Sequence, residues 1–230
     1  MIEVKNLKKS YDGKIVLSLP ELTINVNELV GIVGNNGAGK TTLFRLFLDL
    51  TKPSNGQIMS KGKNIVQQDY WKKYTAAYLD EGFLIGHLTA REFFYFVGNL
   101  SGYSKSDVEQ FLKRNEYFFG SDILSNNKYI MDLSKGNQAK VGIMACILKS
   151  PELLILDEPF ANLDPSSQIQ LIKILQYLND STQATIIISS HDLNHVTTFC
   201  KRVLLMKDGN IIKDVPIVDN TLQTLQAFFV

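Results

Sequence analysis

The 230 residues include only two cysteines, three histidines and one tryptophan. Two thiols are too few for a disulfide framework and fit a metal site poorly. Cys146 and Cys200 each sit in an apolar stretch, so both are expected to be buried thiols of a reducing compartment. An excess of either charge is also missing. With 24 Lys and Arg against 23 Asp and Glu, the net charge of +1 gives no field to draw the molecule onto phosphate backbones or anionic lipid, and no nucleic-acid partner is expected. Long apolar runs are absent too, since none approaches the about 18 residues that a membrane span needs. Met1 is followed by Ile-Glu-Val-Lys and not by a basic and apolar leader. The chain is therefore expected to be cytoplasmic, meeting a membrane only through a partner. There is no internal repeat, low-complexity tract or long Pro- or Ser-rich linker.

What is present is the balance of an ordinary globular protein, with 45% hydrophobic and 20% charged residues and length for one sizeable core or a core with a smaller appendage. Residues 2–4, 15–19 and 22–24 read as antiparallel strands separated by Asp12-Gly13 and Pro20. Residues 29–33 are nearly all apolar, as a central strand covered on both faces would be. A helix is expected over about 40–50, closed by Lys52-Pro53 and Ser54-Asn55-Gly56.

Residues 88–150 read as a mostly helical insert. Thr89-x-x-Glu92 and Ser104-x-x-Asp107 look like helix-opening caps, and the aromatics Phe93, Phe94, Tyr95 and Phe96 are expected in the core. Beyond residue 150, strands at 153–156 and 185–189 alternate with helices at 165–178 and 192–200, before a hairpin around Asp208-Gly209. That alternation predicts a parallel sheet with helices on its faces, whose ligand sites lie beyond the carboxyl ends of the strands.

One such end carries Gly34-Asn35-Asn36-Gly37-Ala38-Gly39-Lys40-Thr41, followed by Thr42. It satisfies G-x-x-x-x-G-K-[ST] between a strand and a helix, which is the context that makes the pattern specific. Glycines let successive backbone N–H groups turn inward while the helix aims its positive dipole end at the same point, so the loop suits phosphate. Lys40 would then face the β and γ phosphates and the Thr41 hydroxyl would ligate Mg²⁺. The apolar strand Leu153-Leu154-Ile155-Leu156 delivers Asp157 and Glu158 at its end. Asp157 is expected to hold Mg²⁺, through water, and Glu158 to polarise the attacking water. The fold class is thus α/β, a P-loop nucleotide triphosphatase with a mixed or parallel sheet core. Asn127-Lys128-Tyr129 is followed by Ile130, so the Asn-Lys-x-Asp guanine reader is missing and adenine is favoured.

Three further segments, Leu133-Ser134-Lys135-Gly136-Asn137-Gln138, Asn162-Leu163-Asp164 and Ser190-His191-Asp192, complete an order and spacing that resembles the ATP-binding cassette (ABC) ATPases over essentially the whole chain. The resemblance implies one unit over 1–230, with about 1–87 and 151–230 as the catalytic core and its N-terminal antiparallel β subdomain, and about 88–150 as a helical subdomain carrying the signature. It implies ATP with Mg²⁺ held between two cassettes, as homodimer or heterodimer, each phosphate loop facing the other chain's signature. Leu133, Ser134, Lys135, Gly136 and Asn137 fill that signature. The family pattern is Leu-Ser-Gly-Gly-Gln, so Lys135 and Asn137 depart from it while Ser134 and Gly136 are kept. Lys135 reads equally as a nucleotide contact and as a solvated lysine.

By the same resemblance, His191 contacts the γ-phosphate, Tyr11 stacks on adenine unless it is simply a strand aromatic, and Asp164 belongs to the loop crossing the dimer interface while also suiting an N-cap before Pro165. Glu81 takes the place of a family Gln that touches Mg²⁺, and residues 83–88 line the groove that receives a membrane permease. The family reading makes the chain the ATPase subunit of a transporter. Its permease is separately encoded, export is the favoured direction, and the chain lies peripherally on the inner face of the membrane. The alternative is a soluble ABC ATPase acting on ribosome or DNA.

Overall fold

In the structure, a computed structural model that describes residues 1–125, 127–219, 221–226 and 228, the apolar stretches form the middle of one large sheet. The chain opens with β1 (Ile2–Tyr11) and β2 (Lys14–Ile24), joined by a two-residue turn in which Asp12 and Gly13 both take positive φ, as the twist of a tight hairpin requires. Pro20 does not break a strand as expected but lies inside β2. That strand is the outer member of a four-stranded antiparallel sheet, where a missing N–H is tolerated. Across from it Asn6 adopts φ 49°, between the pairs Lys5–Glu21 and Leu7–Leu19.

β3 (Leu29–Val33) follows, then α1 (Lys40–Phe47), which stops three residues short of the expected end. Asp49, at φ 49°, turns the chain there, and Leu50 N donates to Arg45 O at 2.9 Å. β4 (Asn55–Ser60) and β5 (Lys63–Asn64) complete the antiparallel sheet in the order β2-β1-β4-β5. β6 (Thr75–Tyr78) then starts the far edge of the large sheet, a strand the sequence pattern did not reveal.

Four helices come next: α2 (Ala90–Leu100), α3 (Lys105–Arg114), α4 (Glu116–Ser125), bent where Gly120 takes φ 68°, and α5 (Lys135–Leu148). Both expected capping boxes form, Thr89 with Glu92 and Ser104 with Asp107. Phe93 and Phe94 are buried and Tyr95 is half-buried, but Phe96 is exposed, because four consecutive residues of a helix cover its whole circumference and one face must look outward.

The chain closes with β7 (Leu153–Leu156), α6 (Pro165–Thr182), β8 (Thr185–Ser190), α7 (Leu193–Phe199), β9 (Arg202–Lys207), β10 (Asn210–Pro216) and α8 (Thr221–Gln226). The large sheet runs β10-β9-β3-β8-β7-β6, with the inner pairs parallel and β10 antiparallel to β9. Alternate residues of its strands feed two cores. Leu29, Val33, Leu154, Leu156, Ile186 and Ile188 pack with the helices of 90–199, while Val30, Ile32, Leu153, Ile155 and Ile187 pack with α1 and the antiparallel sheet. Gly31 sits where a Cβ would stand 2.0 Å from Val196 Cγ1, so α7 rests directly on β3. This sandwiching fixes α1, and with it the loop that precedes α1.

Candidate active site

The loop after β3 is built by its glycines. A Cβ at Gly34 would come within 2.5 Å of the Met206 carbonyl oxygen, and Gly37 and Gly39 take φ 84° and 105°. Ala38 N donates to Asn35 O at 3.0 Å, and Gly209 N, from the β9–β10 turn, donates to Ala38 O at 3.0 Å. Lys40, only 6% exposed, folds its ammonium back onto the Gly34 carbonyl at 2.6 Å. Residues 35–42, with Tyr11, Val16 and Glu158, line a cleft of about 360 Å³. Tyr11 is exposed at its mouth, with Lys9 Nζ 4.6 Å from the ring centre.

The carboxyl ends of β7 and β8 meet this loop from the side. Thr41 Oγ1 donates to Asp157 Oδ2 at 2.6 Å, and Ser189 Oγ donates to Asp157 Oδ1. Burial raises the Asp157 carboxyl above the ordinary range, opposed by the hydrogen bonds from Ser189 and Thr41 and by the Lys40 charge, and aided by the Glu158 charge. Glu158 adopts φ 47°, its N–H donating to Ser189 Oγ at 2.8 Å. Its two oxygens are divided: Oε1 lies 3.3 Å from Lys40 Nζ, and Oε2 lies 2.9 Å from His191 Nδ1 and accepts from His191 N at 3.3 Å. The structure therefore brings Lys40, Thr41, Asp157, Glu158 and His191 together. Ser189, which no sequence motif marks, links the Asp157 carboxylate to the Glu158 backbone N–H. Its signal was a serine at the polar end of an otherwise apolar strand, directly before Ser190 and His191.

Other expected residues lie apart from this cluster. Ser134 is the N-cap of α5, its Oγ accepting from Asn137 N at 3.3 Å, and Gly136 is tied to the loop before α6, since a Cβ there would be 2.4 Å from Asn162 O. None of Leu133, Ser134, Lys135, Gly136 or Asn137 lines the cleft. Asp164 caps α6, accepting from Ser167 Oγ at 2.5 Å and from Ser167 N at 3.0 Å, and these bonds, the hydroxyl's first, hold its carboxyl below the usual range. Glu81 pairs with Lys135, its Oε2 3.7 Å from Nζ. Cys200 is buried as expected, whereas Cys146 is half-buried, and burial pushes its thiol up to about 12.

Residues 17–161 match the family model described as ABC transporter. An uncharacterised ABC transporter ATP-binding protein of Alkalihalophilus pseudofirmus is 36% identical, with 86% of this chain and 71% of that protein covered. The bacitracin transport ATP-binding protein BcrA of Enterococcus faecalis is 32% identical, covering 94% of this chain and 70% of that protein. The methionine import ATP-binding protein MetN of Carboxydothermus hydrogenoformans is 28% identical, covering 95% and 67%. Among solved structures, a dimeric post-hydrolysis state of an ATP-binding cassette bound to ADP and Pi superimposes with TM-score 0.82 at 23% identity, over 95% of this chain and 99% of that one, a likeness of fold. A phosphate loop facing two carboxylates at the end of β7, in a chain matched by that model over more than half its length, makes this protein a member of the ABC transporter ATP-binding family and an ATPase.

Proposed function

We propose that the chain powers transport through a separately encoded membrane permease, working as a head-to-tail dimer, homomeric or with a second ATPase chain, that closes on ATP. The observation that carries this reading is the separation of two phosphate-binding ends within one chain: the cleft is lined by the phosphate loop and not by the signature segment. One chain then holds half of each site, and the other half of each must come from outside.

In this reading Tyr11 stacks on adenine, and the loop 34–42 and Lys40 cradle the phosphates. Thr41 and Asp157 present oxygens to one point, the donor type Mg²⁺ prefers, and a bound Mg²⁺ would neutralise phosphate charge there. Triphosphate attracts Lys40 more strongly than one carboxylate does, so nucleotide draws Lys40 from Glu158. Glu158, still steadied by His191, is then free to orient the attacking water. Ser134, Gly136 and the start of α5 offer an anion site to the γ-phosphate of a second chain, and Asp164 sits on the loop beside it.

Leu50, Phe83, Leu84, Phe93 and Val97 line an apolar cleft of about 370 Å³ next to α5. Leu50 and Phe83 of this lining are exposed, which suits the permease's docking segment. Among the described residues no helix is long and apolar enough to cross a membrane, so the chain would sit on the inner face of the membrane through that partner. Export is kept as the direction of this reading; among the relatives one is named for bacitracin transport and one for methionine import.

The test is co-purification of tagged Glu158→Gln protein from detergent-solubilised native membranes with ATP and Mg²⁺. Hydrolysis should fall about 10²- to 10³-fold, and a multi-span protein should come down stoichiometrically. Recovery with ribosomes or DNA, or alone in the soluble fraction, would overturn the transport reading and favour the soluble alternative.

A further inference from the structure

The two clearest departures from the family's usual residues touch each other. Lys135 is the first residue of α5, where the positive end of the helix dipole disfavours a cation, and α5 has no acidic residue in its first turn. Its counter-charge comes from another segment: Glu81, in the short 3₁₀ turn Glu81–Phe83 after β6, at 3.7 Å. The two segments are firmly joined. Ile130 N donates to Leu88 O at 2.8 Å and Met131 N to Gly86 O at 3.1 Å. Gly142 leaves α5 so close to β6 that a Cβ would stand 2.4 Å from the Tyr78 ring. The Lys135 side chain is nevertheless 66% exposed and that of Glu81 25%, so the pair is solvated and readily exchanged.

We propose that Glu81 is a positioning residue for Lys135, holding its ammonium as a stand-in for phosphate until the triphosphate carried by a second chain takes it over. The proposal rests on the head-to-tail reading above. A triphosphate carries several negative charges against one on Glu81, so it wins Lys135 when the two chains close. Glu81 loses its partner at the same moment. Because Phe83 and Leu84, directly after it, line the apolar cleft next to α5, release of Glu81 couples the occupancy of the signature to the docking surface. The two departures thus act as one unit, and each explains the other: a carboxylate at position 81 calls for a cation, and a cation at the start of α5 calls for a carboxylate.

Zero-length carbodiimide coupling of the full chain, read by mass spectrometry of the monomer band, measures the pair directly. Without nucleotide a Glu81–Lys135 cross-link is expected, and in Glu158→Gln protein its yield should fall severalfold when ATP and Mg²⁺ drive dimerisation. In parallel, Glu81→Gln should lower the ATP concentration for half-maximal dimerisation about threefold per site, the scale of an exposed ion pair. It should have no such effect in a Lys135→Gln background, and Glu81→Asp should restore much of the original value.

No cross-link in a chain that still dimerises would overturn the pairing while leaving the dimer reading intact. A cross-link whose yield is the same in the dimer, or an equal effect of Glu81→Gln with and without Lys135, would overturn the exchange. A normal cross-link with no ATP-driven dimer would instead bring down the head-to-tail reading and the exchange with it.

Discussion

Two lysines stand at two helix starts in this protein, and their surroundings differ in the way that separates a finished site from half of one. Lys40 is 6% exposed, hydrogen-bonded to Gly34 and paired with Glu158 at 3.3 Å, inside a network that continues through His191, Ser189, Asp157 and Thr41. Lys135 has a side chain that is 66% exposed and a single carboxylate at 3.7 Å. Burial makes the first arrangement costly to disturb and therefore preorganised, since a charge left unpaired in such a place is expensive. Solvation makes the second exchangeable. In the proposed dimer the phosphate-loop half of the site is completed by its own chain, while the signature half is anchored by its backbone and gives its charge to the second chain's phosphate.

The sharpest way to break this comparison is Lys40→Ala. It removes the buried cation from the phosphate cradle, and ATP affinity measured by calorimetry on the full chain should drop at least about 100-fold, as expected for losing a buried, charge-assisted contact. Retained micromolar binding would mean that the loop is not the nucleotide site. A smaller and more selective effect is expected at the other half. In Gly136→Val a Cβ would meet Asn162 O at 2.4 Å, displacing the start of α5 at a cost of about 1–3 kcal/mol. ATP binding to the monomer should persist, because the cleft is untouched, whereas ATP-dependent dimerisation should fail. Loss of both together would deny the two halves their independence.

What could be read in advance follows the same division between local and non-local. The phosphate loop is legible because its chemistry is contiguous: glycine spacing, lysine and hydroxyl stand in one octapeptide, and strand and helix patterns flank it. Asp157 and Glu158 are legible because an all-apolar strand ends on them. The two capping boxes and the N-cap of α6 are legible because they close within three residues. Ser189 was not, since its role comes from β8 lying beside β7, and its hydrogen bond to Asp157 spans 32 residues of chain. Glu81 was placed near Mg²⁺ by resemblance, but which way its side chain turns depends on α5, whose approach Gly142 decides. β6 is too short, at four residues, to show a period of its own, and Pro20 survives in β2 because that strand is outermost.

The smallest expected effect tests whether residues 88–150 are energetically separable from the core. α2 and α3 are joined by Glu109, which accepts from both Arg91 and the Tyr95 hydroxyl, and the Arg91 and Tyr95 hydrogen bonds hold its carboxyl below the usual range. A depressed carboxyl contributes stability that is fully present above the unfolded-state value, about 4.3, and is lost as pH falls through the folded-state value. Glu109→Gln should therefore lower the melting temperature by no more than about 2–4 °C at pH 7, since the ion-pairing side chains are 40% and 42% exposed. That deficit should shrink as the pH falls below the ordinary glutamate range, where the wild-type carboxyl also becomes neutral. Amide exchange sharpens the reading: α2 and α3 should lose protection while β3, β7 and β8 keep theirs, because the central strands are held by two cores and α2–α3 contribute to only one. Equal loss across all of these elements would mean that the helices and the sheet open as one cooperative unit, and the helical part could not then move on its own when a second chain engages the signature.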